Sequence, residues 1–502
     1  MTPRPLHELL DRAGVSALGP VPKSVLVHGL RLDSRRVLPG DLFFALPGTR
    51  DDGARHAPQA VEKGAVAIVA ETEAPASSSS VPWIRVAAAR PAMALVAREW
   101  WGRPDEGMTL VGITGTKGKT TVAHLVESIA RSCGRRPGRI GTVGNAFDGR
   151  ELEAARTTPE ATDLYELLAS MRAAGVEIVA MEVSSHALSL HRVGGARFSI
   201  AAFLNLGRDH LDFHGSPEAY FGAKASLFER LTSRDVAVLP EDDPLGEELA
   251  GRTRARVLTF GRGRQALIRL ATEASTLAGS TARLSTPVGD VEIRTSLPGR
   301  FNLLNAAASA ACGIAFGADA DAIARGIAGV ARVPGRLDPV DAGQPFAVLV
   351  DYAHTAESLE AVLDAVRELT DGRVIVVFGC GGDRDRGKRF AMGRIAASRA
   401  DRVVLTSDNP RTEDPTAILA EIESGVASVP GAGPRSTTVV ERARAIPLAL
   451  SEARSGDAVV IAGKGHETTQ TLADRTIPFD DRDVARQALA SLGFGGGSRA
   501  DA

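Results

Sequence analysis

The sequence predicts an α/β fold with mostly parallel sheets, and two observations lead to this prediction. Short apolar runs recur along the chain and end in glycine or polar residues, a pattern typical of strands buried on both faces of a parallel sheet. Longer amphipathic stretches of helical character separate these runs. Because strands that alternate with helices build sheets covered on both sides, we expect a doubly wound architecture.

Residues 1–104 are predicted to form a small N-terminal α/β domain. LHELLDRAG has the apolar spacing of a short amphipathic helix, and the apolar runs Asp41–Leu46 and Val66–Ala70 are predicted to be buried strands. RPDEG at 103–107 is charged and contains proline, which predicts a polar linker at the end of this domain.

A central domain over 105–333 and a C-terminal domain over 334–502 are predicted from the remaining strands. The central strands are TLVGIT, VEIVAME, SIAAFLNL and VAVLP, and the more polar residues 266–297 are predicted to be a β-rich insertion. The C-terminal domain begins near VPGR, and its predicted strands are AVLVDYAH, RVIVVFGCGG, RVVLTSDN and DAVVIAGKGHE. Helical stretches such as SLEAVLDAVREL separate them, which predicts a second doubly wound sheet.

The composition excludes several classes of protein. The 502 residues are 44% hydrophobic and 24% charged with a formal net charge of −2, as in globular proteins and unlike disordered or fibrous ones. A net charge so close to zero argues against a general nucleic-acid binder, and no apolar stretch reaches the roughly 18 residues of a membrane span. The N-terminus lacks the apolar core of a signal peptide, so we expect a cytoplasmic protein. Cys133, Cys312 and Cys380 are too scattered for a disulfide framework or zinc cluster and are expected to be small buried hydrophobic residues.

Lysine is rare in this chain, because only seven of the 59 basic residues are lysine. Arginine therefore serves wherever a generic positive charge suffices, and a lysine marks a position that needs a compact ammonium or a neutral amine. Five lysines lie in glycine-, histidine- or acid-rich strings, namely Lys117, Lys119, Lys224, Lys388 and Lys464. Lys23 and Lys63 do not, and we expect them at the surface.

The strongest local motif is GTKGKTT at Gly115–Thr121, between a predicted strand and a predicted helix. Glycines let backbone amides surround phosphate oxygens, and the N-terminus of the helix adds positive potential. Lys119 is predicted to reach the β- and γ-phosphates of a nucleotide, and Thr120 to offer its hydroxyl to Mg²⁺. Ile113 replaces the first glycine of the standard phosphate loop, so an ordinary glycine-rich turn is the alternative interpretation.

Polar residues also cluster after the next two central strands. Glu182 ends an apolar run, where an unpaired carboxylate is costly; a metal or basic partner is expected there, with a structural salt bridge as the alternative. The string FLNLGRDHLDFHG contains Asn205, Arg208, Asp209, His210, Asp212 and His214. Carboxylate and imidazole ligands suit magnesium when a substrate phosphate completes the shell, whereas zinc is disfavoured without thiolates. Because open α/β sheets bind ligands at the carboxyl ends of their strands, we predict one site at each of the two sheets.

Taken together, these strings resemble those of the Mur ligase family. The matching strings, in family order over nearly the whole chain, are GTKGKTT, TTPE, MEVSSHAL, NLGRDHLDFHG, AKASLF, GRFNLLNAAA, VPGRLD, DYAH, GCGGDRDRGKR, DNPRTEDP and GKGHE. The resemblance implies a UDP-substrate-binding N-terminal domain, a central P-loop-type ATP-binding domain and a C-terminal Rossmann-like domain. It further implies ATP-dependent addition of meso-2,6-diaminopimelate to the D-Glu of UDP-N-acetylmuramoyl-L-alanyl-D-glutamate in peptidoglycan synthesis, by a monomeric enzyme.

The resemblance also implies roles for individual residues on the nucleotide-sugar side. The UDP-substrate contacts it assigns are Leu32, Ser34, the loop at 47–49, Thr157, Thr158, Ser184 and Arg192. Leu190 and Arg156 depart from the pattern, standing where many relatives have glutamine and asparagine, and Lys117 replaces a common asparagine of the phosphate loop.

Further assignments concern the reacting groups and the other two substrates. The resemblance implies that Lys119, Lys224, His210 and Glu182 are catalytic. It also implies that Glu182, His210 and Thr120 are Mg²⁺ ligands, and that Lys224 joins them as a carbamate formed with CO₂. The alternative role for Lys224 is an ammonium that pairs with phosphate. The ATP contacts are Gly115, Thr116, Lys117, Gly118, Lys119, Thr120, Thr121, Asn302, Asn305, Arg336, Asp351 and His354. The diaminopimelate contacts are Arg389, Asp408, Asn409, Pro410, Arg411, Gly463 and Glu467.

The implied reaction passes through an acyl phosphate, which the amine of the diamino acid then attacks. Alternatives are the same reaction with L-lysine or another diamino acid, and a sibling ligase of the folylpolyglutamate or D-Ala-D-Ala-adding type. Arg411 favours diaminopimelate, because a guanidinium grips a distal carboxylate in bidentate fashion, and Glu467 suits the distal ammonium. A non-catalytic nucleotide-binding scaffold is disfavoured because every expected lysine and acid is present.

Overall fold

The computed structural model describes residues 2–48, 52–74 and 80–495, which form two compact units. Unit 1 contains Met1–Arg269 and Ala308–Ile323, and unit 2 contains Leu270–Ala307 and Ala324–Ala502. Across both units the chain builds α/β sheets of mostly parallel strands, which confirms the predicted fold class. Thr49 of the predicted substrate loop at 47–49 lies outside the described residues.

The N-terminal part of unit 1 forms a small parallel sheet with flanking helices. Its elements are β1 (Arg4–Pro5), α1 (Leu6–Ala13), β2 (Leu26–Val27), β3 (Gly29–Arg31), β4 (Asp41–Ala45), α2 (Ala57–Glu62), β5 (Ala67–Ala70), β6 (Trp83–Arg85) and α3 (Ala89–Trp100). Strands β3, β4, β5 and β6 are parallel neighbours in that order. The predicted helix and both predicted strands are therefore confirmed.

The segment expected to be a polar linker at 103–107 is instead part of the folded core. Pro104–Gly107 forms a short 3₁₀ turn, in which Asp105 is 1% exposed. The Asp105 carboxylate lies 3.0 Å from Arg98 Nε and accepts a hydrogen bond from the Arg197 amide. Asp105 is therefore charged because it pairs with Arg98 of α3, and it also binds the backbone near Arg197; local composition reveals neither contact.

The central part of unit 1 is a larger, helix-covered sheet. Its elements are β7 (Thr109–Thr114), α4 (Lys119–Ser132), β8 (Pro137–Gly141), β9 (Gly144–Phe147), β10 (Arg150–Leu152), α5 (Ala161–Ala173), β11 (Ile178–Glu182), α6 (Ser185–Ser189), β12 (Ile200–Phe203), α7 (Leu211–His214), α8 (Pro217–Glu229), β13 (Val236–Pro240), α9 (Pro244–Arg252) and β14 (Arg256–Gly261). Strands β8, β11, β7, β12, β13 and β14 are parallel in that order, and β9 and β10 extend the edge antiparallel. Because β11, β7 and β12 are adjacent, the polar residues that follow them share one edge.

Unit 2 begins with the predicted β-rich segment and continues into a second doubly wound sheet. The elements from the β-rich segment onward are β15 (Ile268–Thr276), β16 (Gly279–Ser285), β17 (Val291–Thr295), α10 (Arg300–Ala315), α11 (Ala320–Ala328), β18 (Asp338–Pro339), β19 (Ala347–Asp351), α12 (Ala356–Arg367), β20 (Val374–Phe378), α13 (Gly387–Arg399), β21 (Arg402–Leu405), α14 (Pro415–Ala427), β22 (Ser436–Thr438), α15 (Arg442–Glu452), β23 (Ala458–Ala462), β24 (Thr469–Thr471), β25 (Thr476–Pro478) and α16 (Asp481–Ser491). The unit boundaries fall inside β15, α10 and α11.

The second sheet has the order β18-β19-β23-β20-β21-β22, and every strand but β18 is parallel. Helices α12, α13 and α14 supply the apolar core on one face, and α15 and α16 supply it on the other. The near-continuous apolar sequences of β19, β20, β21 and β23 follow from burial on both faces. In the described part of the chain, no helix is both long and apolar enough to cross a membrane.

Candidate active site

The phosphate loop turns tightly between β7 and α4. Gly118 has φ +89° immediately before the helix, a conformation that glycine adopts without strain. Gly115 has φ +151°, and a Cβ there would lie 3.1 Å from Leu204 Cβ. These two positions need glycine, because the turn requires a positive φ at one of them and a close approach to Leu204 at the other.

A second loop, which follows β12, holds the phosphate loop in place. Asn205 Oδ1 accepts from the Lys117 amide at 2.9 Å, and its Nδ2 donates to the Lys117 carbonyl at 3.1 Å. Thr116 Oγ1 accepts from the Gly207 amide and lies 3.0 Å from the Tyr220 hydroxyl. These bonds hold the loop in one shape, in which the amides of Thr116 and Lys117 are bound by Asn205.

Glu182 lies at the end of β11, beside the phosphate loop. It is 2% exposed, and its Oε2 accepts from the Thr120 hydroxyl and the Thr142 hydroxyl, each at 3.0 Å. Its Oε1 accepts from the Thr142 amide at 2.8 Å. A Cβ at Gly141 would collide with Oε1, so the neighbouring strand needs glycine to admit this carboxylate. The partners are hydroxyl and amide groups rather than a cation, unlike the salt bridge considered as the alternative.

Lys224 on α8 is an almost fully buried lysine at the same edge. It is 1% exposed, its Nζ donates to the Gly115 carbonyl at 3.0 Å, and Nζ lies 4.4 Å from the centroid of the Tyr220 ring. Lys119 donates to the same Gly115 carbonyl at 2.8 Å. Burial, and then the charge of Lys119, hold the pKa of Lys224 well below its usual value. This site therefore favours a neutral, nucleophilic amine.

Histidines line the adjoining loop after β12. His210 has φ +53°, its side chain is 45% exposed, and its ring meets His186 edge to face with centroids 4.6 Å apart. His214 lies 3.0 Å from the Ser185 hydroxyl. Burial lowers the pKa values of His186, to about 4, and of His210, so both rings are neutral near pH 7 and able to act as acceptors or ligands. Within the described residues, no group of three His, Cys, Asp or Glu side chains is placed to hold a metal alone.

The residues assigned to the nucleotide sugar divide between two places in unit 1. Thr158 Oγ1 donates to the Glu182 carbonyl at 2.8 Å and accepts from the Ser184 amide, while the Arg192 guanidinium donates to the Thr158 carbonyl. The Thr157 hydroxyl lies 3.0 Å from that of Thr142, which binds Glu182. Hydrogen bonds thus connect four of these residues to Glu182, either directly or through one another: Thr157, Thr158, Ser184 and Arg192. Leu32 and Ser34 lie in the N-terminal part, where Ser34 Oγ donates to Gln59 Oε1 at 2.6 Å.

In unit 2, the loops after β21 and β23 meet around a buried lysine that the sequence reasoning left without a role. Lys464 is 0% exposed, and its Nζ donates to Glu467 Oε2 at 3.0 Å and to the Thr469 carbonyl at 2.6 Å. Asn409 Nδ2 donates to the same Glu467 oxygen at 2.8 Å. Gly463 has φ +112°, and a Cβ there would lie 2.6 Å from Asp408 Oδ2. DNPR and GKGHE therefore form a single polar cluster.

Two arginines of this unit have unlike surroundings. Arg389, assigned from the resemblance to diaminopimelate, is 0% exposed, and its terminal nitrogens donate to Glu413, Glu421 and the Gly381 carbonyl. Those nitrogens are thus directed to protein groups, and the residue supports the loop that carries Arg411. Arg384, which the sequence reasoning passed over, is exposed in the preceding loop. A Cβ at Gly381 would lie 2.9 Å from Arg411 NH1 and 3.9 Å from Arg384 Cγ, so these two arginines flank the same glycine.

The residues assigned to ATP outside the phosphate loop also lie in unit 2. Asn302 is 2% exposed and Asn305 Nδ2 donates to its Oδ1 at 3.0 Å, inside the first turns of α10. The Arg336 guanidinium lies 5.4 Å from the Tyr352 ring centroid, and Tyr352 is 4.6 Å from the His354 ring. Asp351 accepts from the amides of Leu337 and Ala353, each at 2.8 Å. Arg336, Asp351 and His354 therefore lie around the end of β19.

Comparisons with known proteins agree over almost the full length of the chain. Three family models match: the Mur ligase catalytic domain at 26–101, the Mur ligase middle domain at 113–313 and the Mur ligase glutamate ligase domain at 335–465. The chain is 46% identical to a UDP-N-acetylmuramoyl-L-alanyl-D-glutamate–2,6-diaminopimelate ligase of Solibacter usitatus, over 93% of this chain and 94% of the relative. It belongs to the Mur ligase family.

Two further relatives are named as the same kind of ligase. The enzyme of that name from Gloeobacter violaceus is 46% identical over 97% of this chain and 98% of its own. A solved structure of a ligase of that name has a TM-score of 0.69 and 31% identity, covering 98% of this chain and 100% of its own. A MurF ligase from Thermotoga maritima in complex with ADP has a TM-score of 0.60 at 21% identity, covering 94% and 98%, which shows a shared fold. This Mur ligase is thus an ATP-dependent amide ligase by family, and the three-domain fold expected from the resemblance is confirmed.

Proposed function

We propose that this Mur ligase joins meso-2,6-diaminopimelate to the D-Glu of UDP-N-acetylmuramoyl-L-alanyl-D-glutamate, with conversion of ATP to ADP and phosphate. The observation that supports it most is the edge where the phosphate loop, Glu182 and Lys224 lie together, since each group suits one part of phosphoryl transfer to a carboxylate. The names of the relatives at 46% identity support the choice of substrates.

The oxygen donors at this edge fit Mg²⁺. Glu182 is a buried carboxylate hydrogen-bonded to the Thr120 hydroxyl, and both are hard oxygen ligands, while the exposed part of the His210 ring offers a nitrogen. We propose Thr120, Glu182, His210 and carbamylated Lys224 as the protein ligands. When bound, the ion neutralises phosphate charge and stabilises the oxygens of the transferring phosphoryl group.

The protein's own groups carry the first step by position and charge. The amides at the start of α4 contact the phosphates, whereas those of Thr116 and Lys117 are bound by Asn205. Lys119 exchanges its bonds to the Gly115 and Thr116 carbonyls for the β- and γ-phosphates. The γ-carboxylate of D-Glu attacks the γ-phosphorus, the bond to the bridging oxygen breaks, and ADP leaves. The amine of the diamino acid then attacks the acyl carbon, loses a proton, and expels phosphate. Exclusion of water protects the acyl phosphate between the two steps.

Lys224 is proposed to react with CO₂. The neutral amine forms a C–N bond to the carbon of CO₂ and releases one proton, which leaves a carbamate with one negative charge. Its low pKa supports this step, because only the unprotonated amine is nucleophilic. Arginine has no equivalent reaction, consistent with the survival of a lysine here in an arginine-rich chain.

The amino-acid pocket is proposed at the loops after β20, β21 and β23. Arg411 and the exposed Arg384 flank Gly381 and supply guanidinium groups for the distal carboxylate of diaminopimelate, while Glu467 pairs with the distal ammonium. Asp408, Asn409, Pro410 and Gly463 shape the pocket, and Arg389 acts through Glu413 as a positioning residue. Asn302, Asn305, Arg336, Asp351 and His354 are proposed to contact ATP, and Leu32 and Ser34 the uridine.

We also propose the domain boundaries, the oligomeric state and the location that the sequence predicts. The substrate domain covers 1–104, the ATP-binding domain 105–333 and the amino-acid domain 334–502. The enzyme acts as a monomer in the cytoplasm, where ATP and the nucleotide sugar are available.

A phosphate-release assay with UDP-N-acetylmuramoyl-dipeptide and ATP tests the proposal, in parallel reactions with diaminopimelate, L-lysine and ornithine. We expect release only with an amino-acid acceptor, and a kcat/KM at least about tenfold higher for diaminopimelate, since one charge-assisted contact contributes about 1.5–3 kcal/mol. Preference for lysine would overturn the assignment of the third substrate. Absence of release with all three would overturn the proposed reaction.

A further inference from the structure

The hairpin turn after β8 places a threonine beside the end of β11. Strands β8 and β11 are parallel neighbours, and Ile140 of β8 pairs with Met181 of β11. The residues that follow this pair, Gly141 and Glu182, therefore lie side by side, and a two-residue turn that starts at Thr142 connects β8 to β9. The register of the sheet thus fixes the backbone of Thr142 next to the Glu182 side chain.

Thr142 binds both oxygens of the Glu182 carboxylate. Its backbone amide donates to Oε1 at 2.8 Å, and its hydroxyl donates to Oε2 at 3.0 Å. A third bond to this carboxylate comes from the hydroxyl of Thr120, which is itself a proposed Mg²⁺ ligand. An ionised carboxylate accepts at about four lone-pair sites, so these three bonds leave room for a cation. Because one residue supplies a donor to each oxygen, it fixes the plane of the carboxylate as well as its position.

The hydroxyl proton of Thr142 is directed to Glu182. A carboxylate oxygen only accepts, so the Thr142 hydroxyl is the donor in that contact. The Thr157 hydroxyl lies 3.0 Å from the Thr142 hydroxyl, and because Thr142 has a single proton to give, Thr157 donates here. The contact with Thr157 therefore holds the Thr142 hydroxyl in the orientation that faces Glu182.

We propose that Thr142 is a positioning residue, which holds the Glu182 carboxylate in the orientation in which it binds Mg²⁺. This inference rests on the proposed function for the assignment of Glu182 as a ligand, and it adds a residue that acts through that carboxylate. Glu182 is 2% exposed, so water does not replace a lost donor there. Hydrogen-bond partners orient the ligands of a metal, and loss of one such partner lowers metal affinity about 10- to 100-fold. A purely structural role predicts instead a loss of stability with unchanged Mg²⁺ affinity.

The test is a calorimetric titration of Mg²⁺ into the full-length protein saturated with ADP. Thr142→Val removes the hydroxyl but keeps the backbone amide and the branched shape, and we expect it to bind Mg²⁺ about tenfold or more weakly than the wild-type protein. Thr142→Ala, which also lacks the hydroxyl, should show the same loss. Thr142→Ser keeps the hydroxyl and should bind Mg²⁺ with an affinity close to that of the wild-type protein.

A matched control is Thr253→Val, which removes a threonine hydroxyl elsewhere in unit 1. The Thr253 hydroxyl follows α9 and donates to the Phe228 carbonyl at 2.9 Å, so this variant also loses one partly buried hydrogen bond. It should keep the wild-type Mg²⁺ affinity. Urea denaturation of all four variants measures any accompanying loss of stability.

Unchanged Mg²⁺ affinity in Thr142→Val and Thr142→Ala would overturn the inference, and a lower free energy of unfolding in the same variants would then assign Thr142 a structural role. An equal loss of affinity in Thr142→Ser or in Thr253→Val would overturn it as well. If the wild-type protein with ADP bound no Mg²⁺, the proposed ligand set would fail together with this inference. The phosphate-release assay with the wild-type protein reports separately on the proposed reaction, so the failures are distinguishable.

Discussion

Two fully buried lysines, one in each unit, have opposite surroundings. Lys224 of unit 1 donates to a backbone carbonyl and lies over the Tyr220 ring. Lys464 of unit 2 donates to the Glu467 carboxylate, to Asn409 and to the Thr469 carbonyl. Burial without a carboxylate partner lowers the pKa of Lys224 and drives it towards the neutral amine. The difference supports the proposed reaction of Lys224 with CO₂ and indicates a structural role for Lys464.

Two buried arginines of unit 2, Arg442 and Arg389, are paired with carboxylates as Lys464 is. Arg442 is 1% exposed and forms a bidentate pair with Asp481, with distances of 2.6 and 2.7 Å. Arg389 likewise pairs with Glu413, and it holds the pKa of that carboxyl at about 2. The loops that carry the proposed amino-acid pocket are thus supported by internal ion pairs, whereas Lys119 of the phosphate loop donates to backbone carbonyls.

The largest effect is expected for Lys119, whose partners in unit 1 are carbonyls. Lys119→Ala should lower ATP-dependent phosphate release about 10³-fold, since it removes a charge aimed at the transferring phosphoryl group. Phosphate release measures the loss, and circular dichroism checks the fold. Turnover near the wild-type value would show that the phosphate loop works without this lysine.

The second largest loss of turnover is expected for substitution of Lys224. Lys224→Ala should reduce turnover about 10²-fold, and millimolar acetate should restore part of it by replacing the carbamate oxygens. Lys224→Arg is the matched control, because arginine keeps the charge but forms no carbamate. A carbamate signal in ¹³C NMR with labelled bicarbonate should appear only in the wild-type chain. No rescue together with no signal would favour a simple phosphate-pairing role.

A smaller effect on stability sharpens the contrast between the two lysines. Lys464→Met should lower the free energy of unfolding by about 2–3 kcal/mol, because Glu467 and Asn409 lose their shared cation. Lys224→Met should change it by less than about 1 kcal/mol, since no carboxylate is left unpaired. Urea denaturation of both variants measures the difference. Equal losses would contradict the distinction between a structural and a chemical lysine.

The smallest effect is expected at the rim of the proposed amino-acid pocket. Arg411→Gln should raise the KM for diaminopimelate about tenfold and leave the KM for ATP unchanged, as for loss of one charge-assisted contact. Arg384→Gln should act in the same direction. Arg389→Gln should instead lower the melting temperature, because it breaks the buried pair with Glu413. A loss of stability in all three would place Arg411 among the supporting ion pairs.

Much of the fold could be predicted from the sequence because burial on both faces makes the strands of a parallel sheet unmistakably apolar. β11 and β20 fall inside the predicted runs. Cys312 and Cys380 are buried as expected, whereas Cys133 after α4 is only half-buried, contrary to the prediction. Lys23 and Lys63 are exposed, also as expected. The buried Asp105 was missed because its partner Arg98 lies on a preceding helix, and a charge pattern does not reveal which charges meet.

The sequence predicted where in the sheets the sites lie, but not which side chains contact each other there. The sequence places Glu182 and the phosphate loop at the ends of strands, and strand order then brings them together. It did not distinguish Arg389 from Arg384, which lie five positions apart in one string, because burial of a guanidinium depends on distant carboxylates such as Glu421. Lys464 was noticed for its rarity, yet its partners lie across two loops.

The Gly115 carbonyl is an acceptor that two ammonium groups share. If Lys119 moves to a phosphate as proposed, one competitor for that oxygen is withdrawn, and the charge state of Lys224 becomes coupled to nucleotide occupancy. Such coupling is reciprocal, so CO₂ capture and nucleotide affinity must change each other by the same factor. The concentration of dissolved bicarbonate would then change the affinity of the enzyme for ATP.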